Sequence, residues 1–148
     1  MYDRPDAVEL IEAVQHHLES ELLPLTKATH HKLYFQTLVA VNVLRIVSRE
    51  LRAGDAPLLA AWERLDALMG PQPVPGCPED LPAALRARHA QLCAAIRQGD
   101  YNQHHGLFDH LMATTIAQLE VANPRYLQAL AAEDAAEDAA DGNANTPD

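Results

Sequence analysis

Basic residues, aromatic residues and cysteines are all scarce in this chain, and each shortage removes a class of function. Eleven Lys and Arg face 21 Asp and Glu, for a net charge of −10. Six of those acids lie in residues 133–148, a stretch without a base, and removing it leaves 15 acids against 11 bases. No basic stripe of the kind that grips nucleic acid remains. Two cysteines, Cys77 and Cys93, suit a reduced compartment better than a disulfide scaffold. The opening "MYDRPDAVEL" has no apolar core of a signal peptide, and no apolar run reaches the length of a membrane span. A cytoplasmic location is the expectation. There is no phosphate loop, no dinucleotide-binding fingerprint and no nucleophile elbow.

What is present is Ala, Leu and helical spacing. Nearly half of the 148 residues are apolar and only 5% are aromatic, a balance that favours helices over sheets. No segment alternates at period two. The expected fold is all-α: a single-domain bundle of five helices plus a short C-terminal sixth.

The first helix follows "YDRPDAVEL", with Asp3 as cap and Pro5, Asp6 and Glu9 in the first turn. Ala7, Leu10, Ile11, Val14, Leu18 and Leu22 share one face. Glu9, Glu12 and His16 point away, and Pro24 ends the helix. The second helix covers about His31 to Ala53 and closes at Gly54. The third lies in "GDAPLLAAWERLDALMG", with Asp55 as cap and Leu58, Trp62, Leu65 and Leu68 as its buried stripe. "GPQPVPGCP", with four prolines and two glycines in nine residues, reads as an extended loop that crosses the bundle, the alternative being a partner-binding segment. The fourth helix, about Leu81 to Gln98, carries Leu85, His89, Leu92 and Ile96 inward. The fifth turns Phe108, Leu111, Met112, Thr115, Ile116 and Leu119 inward. "NPRYLQAL" starts the sixth, and "AAEDAAEDAA" can extend it. The domain is placed at residues 1–132 and an acidic, disordered tail at 133–148.

Three stretches together, "YDRPDAVELIEAV", "VAVNVLRIVSREL" and "NPRYL", resemble a small bacterial all-helical family of unknown function. Its genes often lie beside aminoglycoside-phosphotransferase-like kinases and acyl-CoA dehydrogenases. The resemblance implies no catalytic residue and no cofactor. It implies an accessory role next to a kinase-like enzyme or acyl-CoA metabolism.

The second helix raises the one chemical question. About 100° per residue places Leu33, Ala40, Val43, Leu44, Val47 and Leu51 on one side. His31, Leu38, Asn42, Arg45 and Arg49 fall on the other, flanked by Tyr34, Phe35 and Ile46. Asn42, Arg45 and Arg49, with Tyr34 and His31, are the candidate ligand or interface residues. A guanidinium fork suits carboxylate or phosphate. The ordinary alternative is that these arginines pair with acids on neighbouring helices.

The eight histidines include the adjacent pairs His16–His17, His30–His31 and His104–His105. Neighbours on a helix diverge by about 100° and cannot share one ion. No helix supplies three ligands at i,i+4 spacing, so no metal site is assigned. His89 and Cys93 are one turn apart, but no oxyanion-hole segment accompanies them. The balance is against an enzyme. The reading is a non-catalytic interaction module that binds itself, a kinase-like enzyme or an acyl-CoA dehydrogenase. The alternative is a binder of an anionic ligand such as an acyl-CoA or phosphate compound, and a His-based metalloenzyme stands behind both.

Overall fold

Every regular element among the described residues is helical. The structure, a computed structural model, describes residues 4–144, with side chains as far as Ala136. α1 spans Ala7–His17, a π-helical segment spans Leu18–Leu22, and α2 spans Leu23–Lys27. α3 is His31–Ala53, α4 Ala56–Met69, α5 Leu81–Gln98, α6 His105–Ala122 and α7 Pro124–Ala144. The all-α class therefore holds. The chain forms two compact units, divided after Gly54.

In the first unit α1, the π segment and α2 pack against α3. The start of α1 is capped by Asp6: its side chain accepts from the Glu9 amide at 2.8 Å, and Glu9 accepts from the Asp6 amide at 2.9 Å. That reciprocal box replaces the cap expected at Asp3, which lies outside the described residues. Pro24 does not end the helix. The Leu23 amide reaches back to the Leu18 carbonyl, five residues away, so the ladder slips just before a residue that has no N–H to donate. The chain turns only after Lys27.

The seam of this unit is unusually polar. Thr26, Thr37 and Ser48 are buried together with Val41. Thr26 and Thr37 donate to carbonyls one turn back, Leu22 at 2.8 Å and Leu33 at 2.9 Å, and so enter the seam without orphaned hydroxyls. Glu12, expected to face water, turns into the seam and accepts from Ser48 at 3.2 Å. It also pairs with Arg52. Leu10 and Val14, expected inside, are about half exposed.

The second unit holds the hydrophobic core: Ala61, Trp62 and Leu65 from α4 meet Leu81, Leu85 and Leu92 from α5. Leu58, Leu68 and Ile96 pack around them, as the i, i+3, i+4 spacing expects. The Pro-rich loop is pinned to this core. Trp62 Nε1 donates to the Gln72 carbonyl at 3.2 Å, and the Gln72 amide donates to Asp66 Oδ1 at 3.1 Å. Gly70, at φ +93°, makes the turn that leaves its carbonyl to Arg88 Nη2 at 3.0 Å. Gly99 closes α5 in the left-handed conformation.

α6 packs against α4 and α7 with a different face from the one expected. Phe108, Leu111, Met112 and Ile116 are exposed, while His110 is buried. Leu107, His110, Thr114, Ala117 and Val121, alternating three and four residues apart, are the buried or half-buried row. α7 continues past residue 132 to Ala144, because Ala and Glu sustain a helix. The final residues of the acidic tail lie outside the described residues. None of the described helices is long and apolar enough to cross a membrane.

Candidate functional site

Five residues of α3 were singled out by the sequence. Arg45 is drawn into the seam, where Nη2 meets Glu19 Oε1 at 2.7 Å. Its side chain is 37% exposed, so the ion pair belongs to a boundary. Arg49 and Tyr34 are half-buried, whereas Asn42 and His31 are exposed. His31 lines a shallow hollow with Thr29, His30, Lys32, Leu33 and Gln36. The hollow is at the start of α3, and neither Asn42 nor either arginine borders it. With Arg45 engaged by Glu19, the arrangement is that of an ion-paired helix boundary.

The face of α3 opposite the seam is the more informative one. About 100° per residue puts Thr37 and Ser48 within about 40° of Val41. Val39 and Val43 fall about 160° away from it, and Phe35 about 120°. The buried side thus carries two hydroxyls and one valine, while Phe35, Val39 and Val43 are 61%, 47% and 49% exposed. This inverts the usual amphipathic helix. On the apolar side read from the sequence, Leu33, Val43 and Leu51 are exposed, and Leu44 and Val47 are half-buried. A row of apolar side chains at i, i+4 and i+8 is the surface a partner helix reads.

Lys32 and Glu50 are exposed, and both fall about 180° from Val41 on the same outward side. The row is therefore bounded by a base at its first turn and an acid at its last. Asn42 falls about 100° from Val41 and edges the row on one flank.

A second cluster went unnoticed in the sequence. His110 on α6 is 3% exposed, and its ring lies 5.6 Å from that of His89 on α5, tilted by 40°. Burial pushes the His110 imidazole below its ordinary value, and His89 and Arg64 on α4 push it the same way. Arg64 Nε, His89 Nε2 and both His110 ring nitrogens are buried without a hydrogen-bond partner. The alternation Leu107–His110–Thr114–Ala117–Val121 could have revealed His110, but the bulkier row beginning at Phe108 masks it. His89 and Cys93 form no nucleophile–base pair, because Cys93 is exposed while the His89 Nε2 atom is buried. Among the described residues no group of three His, Cys, Asp or Glu could hold a metal ion.

Residues 27–126 match the family described as Domain of unknown function (DUF6285). The matched span takes in α3 through α6. No curated protein matches the chain, and no solved structure does. The chain belongs to that family of unknown function.

Proposed function

We propose that this family member is a non-catalytic interaction module that self-associates through the outward face of α3. The observation that carries the reading is the inversion of that helix, polar towards its own unit and apolar towards water. Phe35, Val39 and Val43 gain on the order of 1.5–3 kcal/mol each on full burial, less the part already covered. Exposed apolar rows of this kind mark interaction surfaces.

The charges favour a second copy as the occupant. Val41 is the midpoint between Lys32 and Glu50, and also between Val39 and Val43. Two α3 helices laid antiparallel about that point place Val39 against the partner's Val43. They also bring Lys32 to the partner's Glu50, twice over by symmetry. A parallel pairing sets Lys32 against Lys32 and Glu50 against Glu50, which is repulsive. In this arrangement Asn42 edges the apolar row as part of its polar rim, while Arg45 stays on the seam side with Glu19.

Sedimentation equilibrium of the full chain tests the reading. Wild type sediments as a dimer. Val39→Glu with Val43→Glu sediments as a monomer with unchanged helix content, since neither side chain packs in the seam. A wild-type monomer at every concentration overturns the self-association. The kinase-like enzyme and the acyl-CoA dehydrogenase implied by the resemblance are then tested for binding to the same face.

A further inference from the structure

The cluster between α4, α5 and α6 is independent of the α3 surface and has its own logic. Hydroxyls buried elsewhere in the fold are satisfied: Thr26 and Thr37 both donate to backbone carbonyls one turn back. Around His110 the pattern breaks. Of the five side-chain nitrogens buried without a partner among the described residues, four lie on Arg64, His89 and His110, and the fifth is Arg88 Nε. Each such group carries a desolvation cost of about 1–3 kcal/mol. Their concentration in one place is the signature of a polar group that belongs among them.

The chemistry of the donors decides what that group is. Arg64 is a permanent cation with no acceptor capacity. The two imidazoles can each present an N–H. Asp66, the half-buried acid of α4, is engaged by Arg88 at 2.6 Å. The charged groups acting on His110 are His89 from α5 and Arg64 from α4. The charged side chains Arg125, Glu133 and Asp134 of α7 are exposed. A metal ion would find two imidazoles, a guanidinium that repels it and no third ligand among the described residues. An oxyanion would find three donors of the favourable sign. His110 is buried, and Arg64 and His89 beside it are half-buried.

We propose that Arg64, His89 and His110 bind a small oxyanion, a phosphate or carboxylate group, in the second unit. Arg64 donates Nε–H, and each imidazole donates a ring N–H to the anion oxygens. Binding takes up a proton, because imidazolium is the better partner for the anion, and affinity therefore rises as pH falls towards 6.

The test uses the full-length chain with labelled histidine nitrogens, titrated separately with inorganic phosphate and with acetate at pH 6 and pH 8. Sodium chloride at matched ionic strength is the control. The His110 ring nitrogens should move towards the imidazolium form, and the His89 ring resonances should shift, with at least one of the two anions, and the arm with the greater effect identifies the headgroup. The melting temperature should rise more at pH 6 than at pH 8. Arg64→Gln should lower the affinity at least tenfold. Ring resonances that respond to neither anion overturn the proposal. So does an Arg64→Gln chain that responds as wild type does, which would mark an adventitious ion only. A response to zinc ion without one to either anion also overturns it, in favour of a metal.

Discussion

The guanidinium of Arg88 lies 4.6 Å from the centroid of the Trp62 ring. The same side chain, 3% exposed, holds Asp66 Oδ1 at 2.6 Å and the Gly70 carbonyl at 3.0 Å. One buried cation thus ties α5 to α4 and to the first residue of the Pro-rich loop. A planar fork over an aromatic face does this in a way that an ammonium cannot reproduce.

Arg88→Met should therefore destabilise the second unit by about 3 kcal/mol, because removing one partner leaves Asp66 without its cation in a partly dry site. Arg88→Lys should recover only a minor part of the loss. The measurement is urea unfolding followed by the fluorescence of Trp62, the single tryptophan of the chain. An unchanged midpoint in Arg88→Met would contradict the account.

The second unit should also lose stability in mild acid. Burial holds His110 below its ordinary value of 6.5, so the unfolded chain binds more protons than the folded one as pH drops past 6.5. The contribution is fully present above that pH and is lost as pH falls through the folded value. In an anion-poor buffer the urea midpoint read by Trp62 should fall from pH 7.5 to pH 5. His110→Gln should flatten that dependence. Equal slopes for the two chains would show that another group controls it.

Much of the helix order was legible in the sequence, and the reason is visible in particular elements. α4 and α5 announce themselves by Trp62 and Leu65, by Leu81, Leu85 and Leu92, and by glycines that close both helices. The bounds of α3, His31–Ala53, follow from Gly54 and an uninterrupted run. The inward face of α3 was not legible, because a helix apolar around most of its circumference offers little contrast for its period to read. Thr37 and Ser48 look like surface residues until their hydroxyl partners are known. Pro24 reads as a stop, and only the slipped ladder before it shows why it is not.

The candidate site divides in the same way. Arg45 stood out on its helix, but Glu19, its partner, is 26 residues earlier, and no local pattern joins them. His110 was hidden by heavier neighbours on the same helix. Long-range pairing and the choice of face are decided by packing, which periodicity does not record.

The charges at the two ends of the α3 row provide a test of orientation. Lys32→Glu alone and Glu50→Lys alone should each weaken self-association, since each puts like charges together across both symmetric contacts. The double exchange should restore it. Exposed pairs contribute about 0.2–1 kcal/mol each, so two pairs predict a change of up to about thirtyfold in the dimer constant. Single exchanges without effect would remove the electrostatic argument for an antiparallel pair.

The most direct measurement is a set of spin-label distances across the dimer. Cys77 and Cys93, both exposed, are first replaced by serine. A single nitroxide is then placed at Lys32, at Ala40 or at Glu50. The antiparallel arrangement predicts a short distance between the two labels at Ala40, close to the two-fold axis. It predicts an axial separation of about 27 Å at both Lys32 and Glu50, from nine residues on each side at 1.5 Å per residue. Similar distances at all three positions, or no dipolar signal at any of them, would contradict self-association through α3.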